Sequence, residues 1–384
     1  MRIARRLVLL ALLPTLTACG NRPPADIPRA LQGTLTTLVH DDPAIRNSVL
    51  AVARGDGSFI WTGAAGVADA RTGAAMTPAT PIYVASVTKL YTATAIMMLE
   101  EKGALSLDEP MAKYLDPALI RGIHVYEGHD YSGEVTIAQL LSHRSGIADY
   151  YDEKARDGKT LAELLREAPD RRWTVDQAIA RARDDMTPNF APGAKTSYSD
   201  TNFQLLGKIV EAVARKPLDA VFEDLFFSPL GLRHTWMAGH PRAGADGATP
   251  ADVFHGDQDI TASRASEAYW ADGGIVSTAS DMIAFLRALN EGRLVRRDTL
   301  ERMHQWQRWN FPMRYGYGTM EFALPQPLAA LAKLPPLWGH SGSTGSFLYY
   351  AKDLDLYFAG TIDQTESRTK PFLLMGRVAR QVQR

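Results

Sequence analysis

Apolar and polar positions divide the chain into three textures. Residues 48–53 and 59–67 are apolar segments separated by Arg54-Gly55-Asp56-Gly57-Ser58. An Asp-Gly pair between two such runs predicts a β-hairpin. A first helix is expected before it, over residues 28–39. From about residue 85 to 235 the spacing becomes helical. Residues 87–102 are apolar nearly all round, with Leu90, Ala93, Ala95, Ile96, Met97, Met98 and Leu99, so a buried helix ending at Gly103 is expected. Thr136 with Gln139, Thr160 with Glu163 and Thr174 with Gln177 have the spacing of capping boxes, each opening a helix. Phe203, Leu206, Ile209, Val210 and Val213 share one face of a helix over 202–214. Beyond about residue 265 the strand texture returns. Residues 337–350 and 354–362 read as two strands joined near Lys352-Asp353, and residues 372–382 as a closing helix.

Strands at both ends with helices between them predict an α+β fold. One antiparallel sheet is built from both chain ends and flanked by the terminal helices, with an all-helical domain inserted. The sheet subdomain would take residues 28–85 and 265–384, and the helical one residues 86–264.

The N-terminus stands apart from this pattern. Arg2, Arg5 and Arg6 precede an apolar run over residues 7–16 that Pro14 interrupts, shorter than the ~20 residues that span a bilayer as a helix. Residues 1–18 therefore read as a signal peptide. Leu16-Thr17-Ala18-Cys19 resembles the lipobox of bacterial lipoproteins, and Cys19 is the one cysteine in the chain. Lipidation at Cys19 would leave residues 19–27 as a tether. The expected location is an exported, lipid-anchored one, on the periplasmic side of the outer membrane in a Gram-negative cell.

Composition narrows the chemistry. The chain has 384 residues, 46% of them hydrophobic and 22% charged, which is enough apolar material for a sizeable core. With 42 Lys+Arg against 43 Asp+Glu there is no basic excess to neutralise a phosphate backbone, so no nucleic-acid partner is expected. A single cysteine excludes disulfide scaffolds and thiolate metal sites. His124, His129, His143, His234 and His255 lack metal-ligand spacing, and no P-loop or GxGxxG occurs, so neither metal nor cofactor is expected. The absence of Gly-x-Ser-x-Gly excludes an α/β-hydrolase elbow.

Three short motifs remain. Ser86-Val87-Thr88-Lys89 opens the buried helix, where positions i and i+3 share a face and Lys89 can reach the Ser86 hydroxyl. Ser367-Arg368-Thr369-Lys370 has the same spacing but lies in a polar loop before Pro371, and reads as chance. Tyr198-Ser199-Asp200 precedes the helix over 202–214. Tyr114-Leu115-Asp116 and Tyr150-Tyr151-Asp152 match it without that setting. His340-Ser341-Gly342 is the single His-x-Gly and lies inside an expected strand.

In this order, and with Leu140-Leu141-Ser142-His143-Arg144-Ser145-Gly146 and Gly273-Gly274-Ile275-Val276-Ser277-Thr278 between them, the motifs resemble the serine β-lactamase and penicillin-binding protein superfamily. The nearest branches are class C β-lactamases, DD-carboxypeptidases and related esterases, and the likeness runs from Ser48 to Ile362. It implies that Ser86 is a nucleophile forming an acyl-enzyme, that Lys89 helps deprotonate it, and that Tyr198 acts as base toward Ser86 and acid toward the leaving group. The backbone N–H groups of Ser86 and Ser343 would form the oxyanion hole. Asp200, His340, Ser341 and Gly342 would contact substrate. Acyl-D-amino-acid peptides, β-lactams and small esters all stand as substrates. The alternative is a catalytically weak lipoprotein that binds penicillin or peptidoglycan fragments. The partners implied are a small-molecule or short-peptide substrate and, through the lipid, a membrane. Nothing in the pattern fixes the oligomeric state.

Two positions depart from the family. Asp200 stands where Asn is usual, and is an acceptor only when ionised. It either faces Lys89, favouring the ammonium, or caps the following helix. His340 stands where β-lactamases carry Lys. Its expected charge change near pH 6.5 would give carboxylate-bearing substrates a bell-shaped pH profile, and its usual neutrality at pH 7 favours the peptidase and esterase branches.

Overall fold

The computed structural model describes residues 26–239, 248–264, 266–326, 329 and 334–383. The signal peptide, Cys19 and most of the tether lie outside the described residues. Strand Asn47–Arg54 sits inside a nine-stranded antiparallel sheet. From one edge the order is Gln307–Arg308, Met313–Tyr315, Met320–Phe322, Leu337–Ser341, Phe347–Ala351, Leu356–Thr361, Asn47–Arg54, Ile60–Asp69 and Ala74–Ala75. Both chain ends meet where Val49 pairs with Thr361 and Arg54 with Leu356.

The inner strands separate two apolar layers. Val49, Ala51, Tyr357 and Ala359 face the larger core, while Leu50, Val52, Leu356 and Phe358 face a second one under the terminal helices. Alternation is hidden in the sequence because both faces of these strands are buried. Helices Asp26–Asp41 and Lys370–Val382 close the second core with Leu31, Leu35, Leu374, Met375 and Val378.

Helix Thr88–Glu101 is the axis of the larger core. Eleven of its 14 residues are buried, which accounts for its apolar character all round. Its buried threonine hydroxyls are bonded: Thr92 donates to the Ala271 carbonyl (2.6 Å), Thr94 to the Leu90 carbonyl (2.7 Å), and Thr88 accepts from the Ile275 N–H (3.1 Å). Helix Asp200–Ala214 packs beside it, beginning two residues before the expected start. All three capping boxes form, at Thr136, Thr160 and Thr174. Thr136→Ala is expected to cost about 1 kcal/mol, read as a lower denaturant midpoint with an unchanged slope.

Two sequence expectations are corrected. Residues 337–350 form two strands, because the Gly342 N–H bonds the Ser346 carbonyl (2.7 Å) and closes a turn between them, pairing Ser341 with Phe347. Further edge strands, Gln307–Arg308, Met313–Tyr315 and Met320–Phe322, extend the sheet in a region where no strand was expected. They are too short for a period-2 signal.

Candidate active site

Ser86 lies in the 3-10 turn Ala85–Val87 that leads into helix Thr88–Glu101. Ala85 has φ 47°, the left-handed region that alanine rarely enters, and this kink sets the direction of the chain just before the serine. The three-residue spacing then brings the Lys89 Nζ to 3.1 Å from the Ser86 Oγ. Lys89 is fully buried. Its other two donors go to Asp200 Oδ1, in an ion pair, and to the Asp272 carbonyl (2.8 Å). All three ammonium hydrogens are therefore engaged.

Burial opposes the charge on Lys89, but Asp200 and then Asp272 outweigh it and hold its pKa above the usual lysine value. The open question at position 200 is thereby answered. Ser199 occupies the N-cap position, and the Asp200 carboxylate is turned to the lysine. Asp272 is pushed up to about 7, first by burial and then by Asp200. Its carboxylate accepts from the Tyr150 hydroxyl (2.6 Å) and the Gln204 amide (3.1 Å). Asp149, raised by burial and by Asp200, accepts from the backbone N–H groups of Tyr151 (3.0 Å) and Asp200 (3.2 Å).

Tyr198 completes the cluster. Its ring centroid lies 5.0 Å from the Lys89 Nζ, and the Ser86 side chain is among the groups that act on its phenol. Burial, then Asp200, raises its phenol well above the usual tyrosine value, so it holds its proton at neutral pH. The ring is clamped by Trp309 on one side (5.3 Å, interplanar 24°), His143 (4.2 Å) and the edge of Tyr315. His143 accepts the Ser199 N–H at Nδ1 (3.1 Å), which fixes the backbone next to Tyr198.

The turn after strand Leu337–Ser341 is docked against residues preceding Ser86. Thr344 donates to the Tyr83 carbonyl (2.9 Å) and Ser346 to the Val84 carbonyl (2.7 Å). A side chain at Gly342 would collide with Ser346, the Val84 carbonyl and Ala85, so only glycine lets the turn carry Ser343 this close. The Ser341 hydroxyl pairs with Tyr349 (2.8 Å).

His340 behaves differently from the expectation of a group titrating near pH 6.5. Its ring is fully buried. Nδ1 donates to the Ser341 carbonyl (2.7 Å), and Nε2 accepts the Tyr315 hydroxyl (3.0 Å). Burial, then the Lys89 charge, drives its pKa down to about 3. No carboxylate offsets the burial, so the imidazole stays neutral and supplies no bell-shaped profile above that range.

The competing motif copies are elsewhere. Lys370 is paired with Asp42, and Tyr114 with Glu109. Tyr150 serves the site indirectly, through Asp272. Among the described residues no group of three or more His, Cys, Asp or Glu is arranged to hold a metal ion. Sequence reading missed Trp309, Tyr315, Asp149 and Asp272. The Tyr315-Gly316-Tyr317-Gly318 run was the available signal for Tyr315. A side chain at Gly318 would strike Ala93 and crowd the Lys89 carbonyl, so this segment closes directly on the lysine helix.

Family and structural comparisons agree with this geometry. The Beta-lactamase family model matches residues 35–375, and the chain belongs to that family. A D-stereospecific amidohydrolase from Streptomyces sp. superposes with a TM-score of 0.70 at 30% identity, covering 88% of this chain and 94% of that one. The D-amino acid amidase of Ochrobactrum anthropi SV3 has the same fold, with a TM-score of 0.75 at 22% identity over 93% of this chain and 99% of that one. The D-aminopeptidase of Brucella ovis is 26% identical over 74% of this chain and 51% of its own. The chain spans about half the length of the curated relatives it matches.

Proposed function

We propose that the chain is a serine hydrolase that cleaves an amide or peptide bond at a D-amino-acid residue through an acyl-enzyme. The observation that carries this reading is the Ser86 hydroxyl held 3.1 Å from the Lys89 Nζ, with the Tyr198 ring 5.0 Å from the same nitrogen. Lys89 first loses one proton, and as Ser86 Oγ attacks the carbonyl carbon the neutral Lys89 amine takes the hydroxyl proton. The oxyanion is received by the backbone N–H groups of Ser86 and Ser343. Tyr198, a protonated phenol, donates to the leaving nitrogen as the C–N bond breaks. Water then releases the acyl group by the reverse sequence of proton transfers.

Amides are favoured over β-lactams because the position where β-lactamases keep a lysine holds a neutral, buried imidazole. It offers no fixed cation to a β-lactam carboxylate. Kinship with an amidohydrolase, an amidase and an aminopeptidase acting on D-residues supports the same choice.

The test is a hydrolysis panel of D-alanine amide, a D-Ala-D-Ala peptide, nitrocefin and p-nitrophenyl acetate, with a fluorophosphonate label. Ser86 is expected to be labelled and the D-residue amide or peptide to be turned over fastest. Turnover of nitrocefin above both would overturn the substrate choice. No labelling of Ser86 would favour a non-catalytic binder of penicillin or peptidoglycan fragments.

A further inference from the structure

The segment Leu140-Leu141-Ser142-His143-Arg144-Ser145-Gly146 supplies no group to the chemistry above, yet its histidine holds the stretch around Tyr198 at three points. The His143 ring lies 4.2 Å from the Tyr198 ring. Its Nδ1 accepts the Ser199 N–H (3.1 Å), and its main-chain carbonyl accepts the Ser197 N–H (2.9 Å). The residues on either side of Tyr198 are thus bonded to the residue its ring leans on. Both bonds come from one residue at φ 55°, a left-handed conformation that histidine and asparagine enter more readily than most.

The ring's neighbours fix where its proton sits. The Ser145 hydroxyl donates to Asn202 Oδ1 (2.7 Å), so the Asn202 amide turns its Nδ2 to His143 Nδ1 (3.3 Å). Two donors, the Ser199 N–H and the Asn202 amide, therefore meet at Nδ1, which must keep its lone pair. Burial, and after it the Lys89 charge, hold the His143 pKa well below the usual histidine value, so the ring stays neutral. Its one proton is then on Nε2, which is buried and has no hydrogen-bond partner among the described residues. A buried donor left unpaired costs stability. That cost is borne by a side chain whose useful atom is the acceptor at Nδ1.

We propose, resting on the acyl-enzyme reading, that His143 is the positioning residue of Tyr198: through its bonds to Ser197 and Ser199 it aims the phenol at the leaving nitrogen. Trp309 and Tyr315 also touch the Tyr198 ring. Stacked and edge contacts tolerate sliding, whereas the two hydrogen bonds fix the backbone from which the ring projects. Aim matters because the phenol must meet a nitrogen that becomes basic only as the C–N bond breaks. A misplacement of about 1 Å at such a step costs on the order of 10²-fold in rate.

The experiment compares kcat/KM for D-alanine amide and D-alanine p-nitrophenyl ester, which share an acyl group and differ in the leaving group. An amide nitrogen leaves only with a proton, while p-nitrophenolate leaves without one. Tyr198→Phe is the reference and is expected to lose amide hydrolysis selectively. His143→Ala is expected to lower kcat/KM by about 30-fold or more for the amide and by less than about 3-fold for the ester, with the amide loss in kcat rather than KM. His143→Gln, whose carboxamide reaches the Nε2 side and not Nδ1, is expected to do the same. His143→Asn keeps an acceptor at the Nδ1 position and suits the left-handed backbone, so it restores the amide rate to within about 5-fold of the wild type. Added to Tyr198→Phe, His143→Ala costs less than about 3-fold more on the amide, because the group it aims is already gone. Equal falls on both substrates in His143→Ala, or an unchanged amide-to-ester ratio, leave His143 a structural residue and overturn the proposal. Should His143→Ala not fold, an unchanged ratio in His143→Gln does the same. Equal losses in Tyr198→Phe remove the proposed acid and the proposal with it. Wild-type protein that never labels at Ser86 refutes the acyl-enzyme reading itself, so the failures are distinguishable.

Discussion

Ser86→Ala lowers hydrolysis by on the order of 10³-fold or more, while the thermal midpoint stays close to that of the wild type. The argument is local. Ser86 is partly exposed, so water can replace its Oγ as the acceptor for Lys89, and the fold loses little. The reaction, by contrast, loses the atom that forms the covalent bond. Ser367→Ala is the control. Its motif partner Lys370 is committed to Asp42 on the far side of the sheet, so the substitution leaves activity unchanged. Steady-state rates and melting curves on the two variants check both halves. Activity lost in Ser367→Ala and kept in Ser86→Ala would reverse the assignment.

Lys89→Met is expected to damage both activity and stability. The side chain is fully buried and neutralises Asp200, which is itself only 9% exposed at its side chain. Removing the cation leaves a carboxylate in a low-dielectric site, a change that costs about 3 kcal/mol in comparable buried pairs. The double variant Lys89→Met with Asp200→Asn removes both charges and is expected to regain most of that stability without regaining activity. Urea unfolding of the two single variants and the double one closes the cycle. A Lys89→Met protein as stable as the wild type would mean that Asp200 is already neutral in the folded state.

Much of the fold was legible in the sequence because its signals are local. Thr136, Thr160 and Thr174 declare helix starts through bonds reaching three residues ahead. The Asp56-Gly57 turn and the apolar runs beside it declare the hairpin. Ser86 and Lys89 were legible for the same reason, since one helical turn joins them. What stayed hidden depends on distant partners. Asp272 and Tyr315 come to Lys89, and Asp149 to Asp200, from three separate segments, and no spacing connects them. The titration of His340 was misjudged because its burial and its bond to Tyr315 arise only when edge strand Met313–Tyr315 joins the sheet. The split of residues 337–350 was missed because the apolar pattern continues across the turn.

The pairing of Asn47–Arg54 with Leu356–Thr361 has a consequence for the order of events at synthesis. The carbonyls just before Ser86, those of Tyr83 and Val84, are held by Thr344 and Ser346, which follow them in sequence by 261 and 262 residues. The chain therefore emerges with Ser86 long before the segments that dock beside it. Closing so large a loop is entropically expensive and slows assembly. Through translation and any passage across a membrane, the hydroxyl has neither its neighbouring turn nor a sheet to anchor it. With Ser86 as the proposed nucleophile, the site is expected to gain its geometry only once these last strands have closed on it.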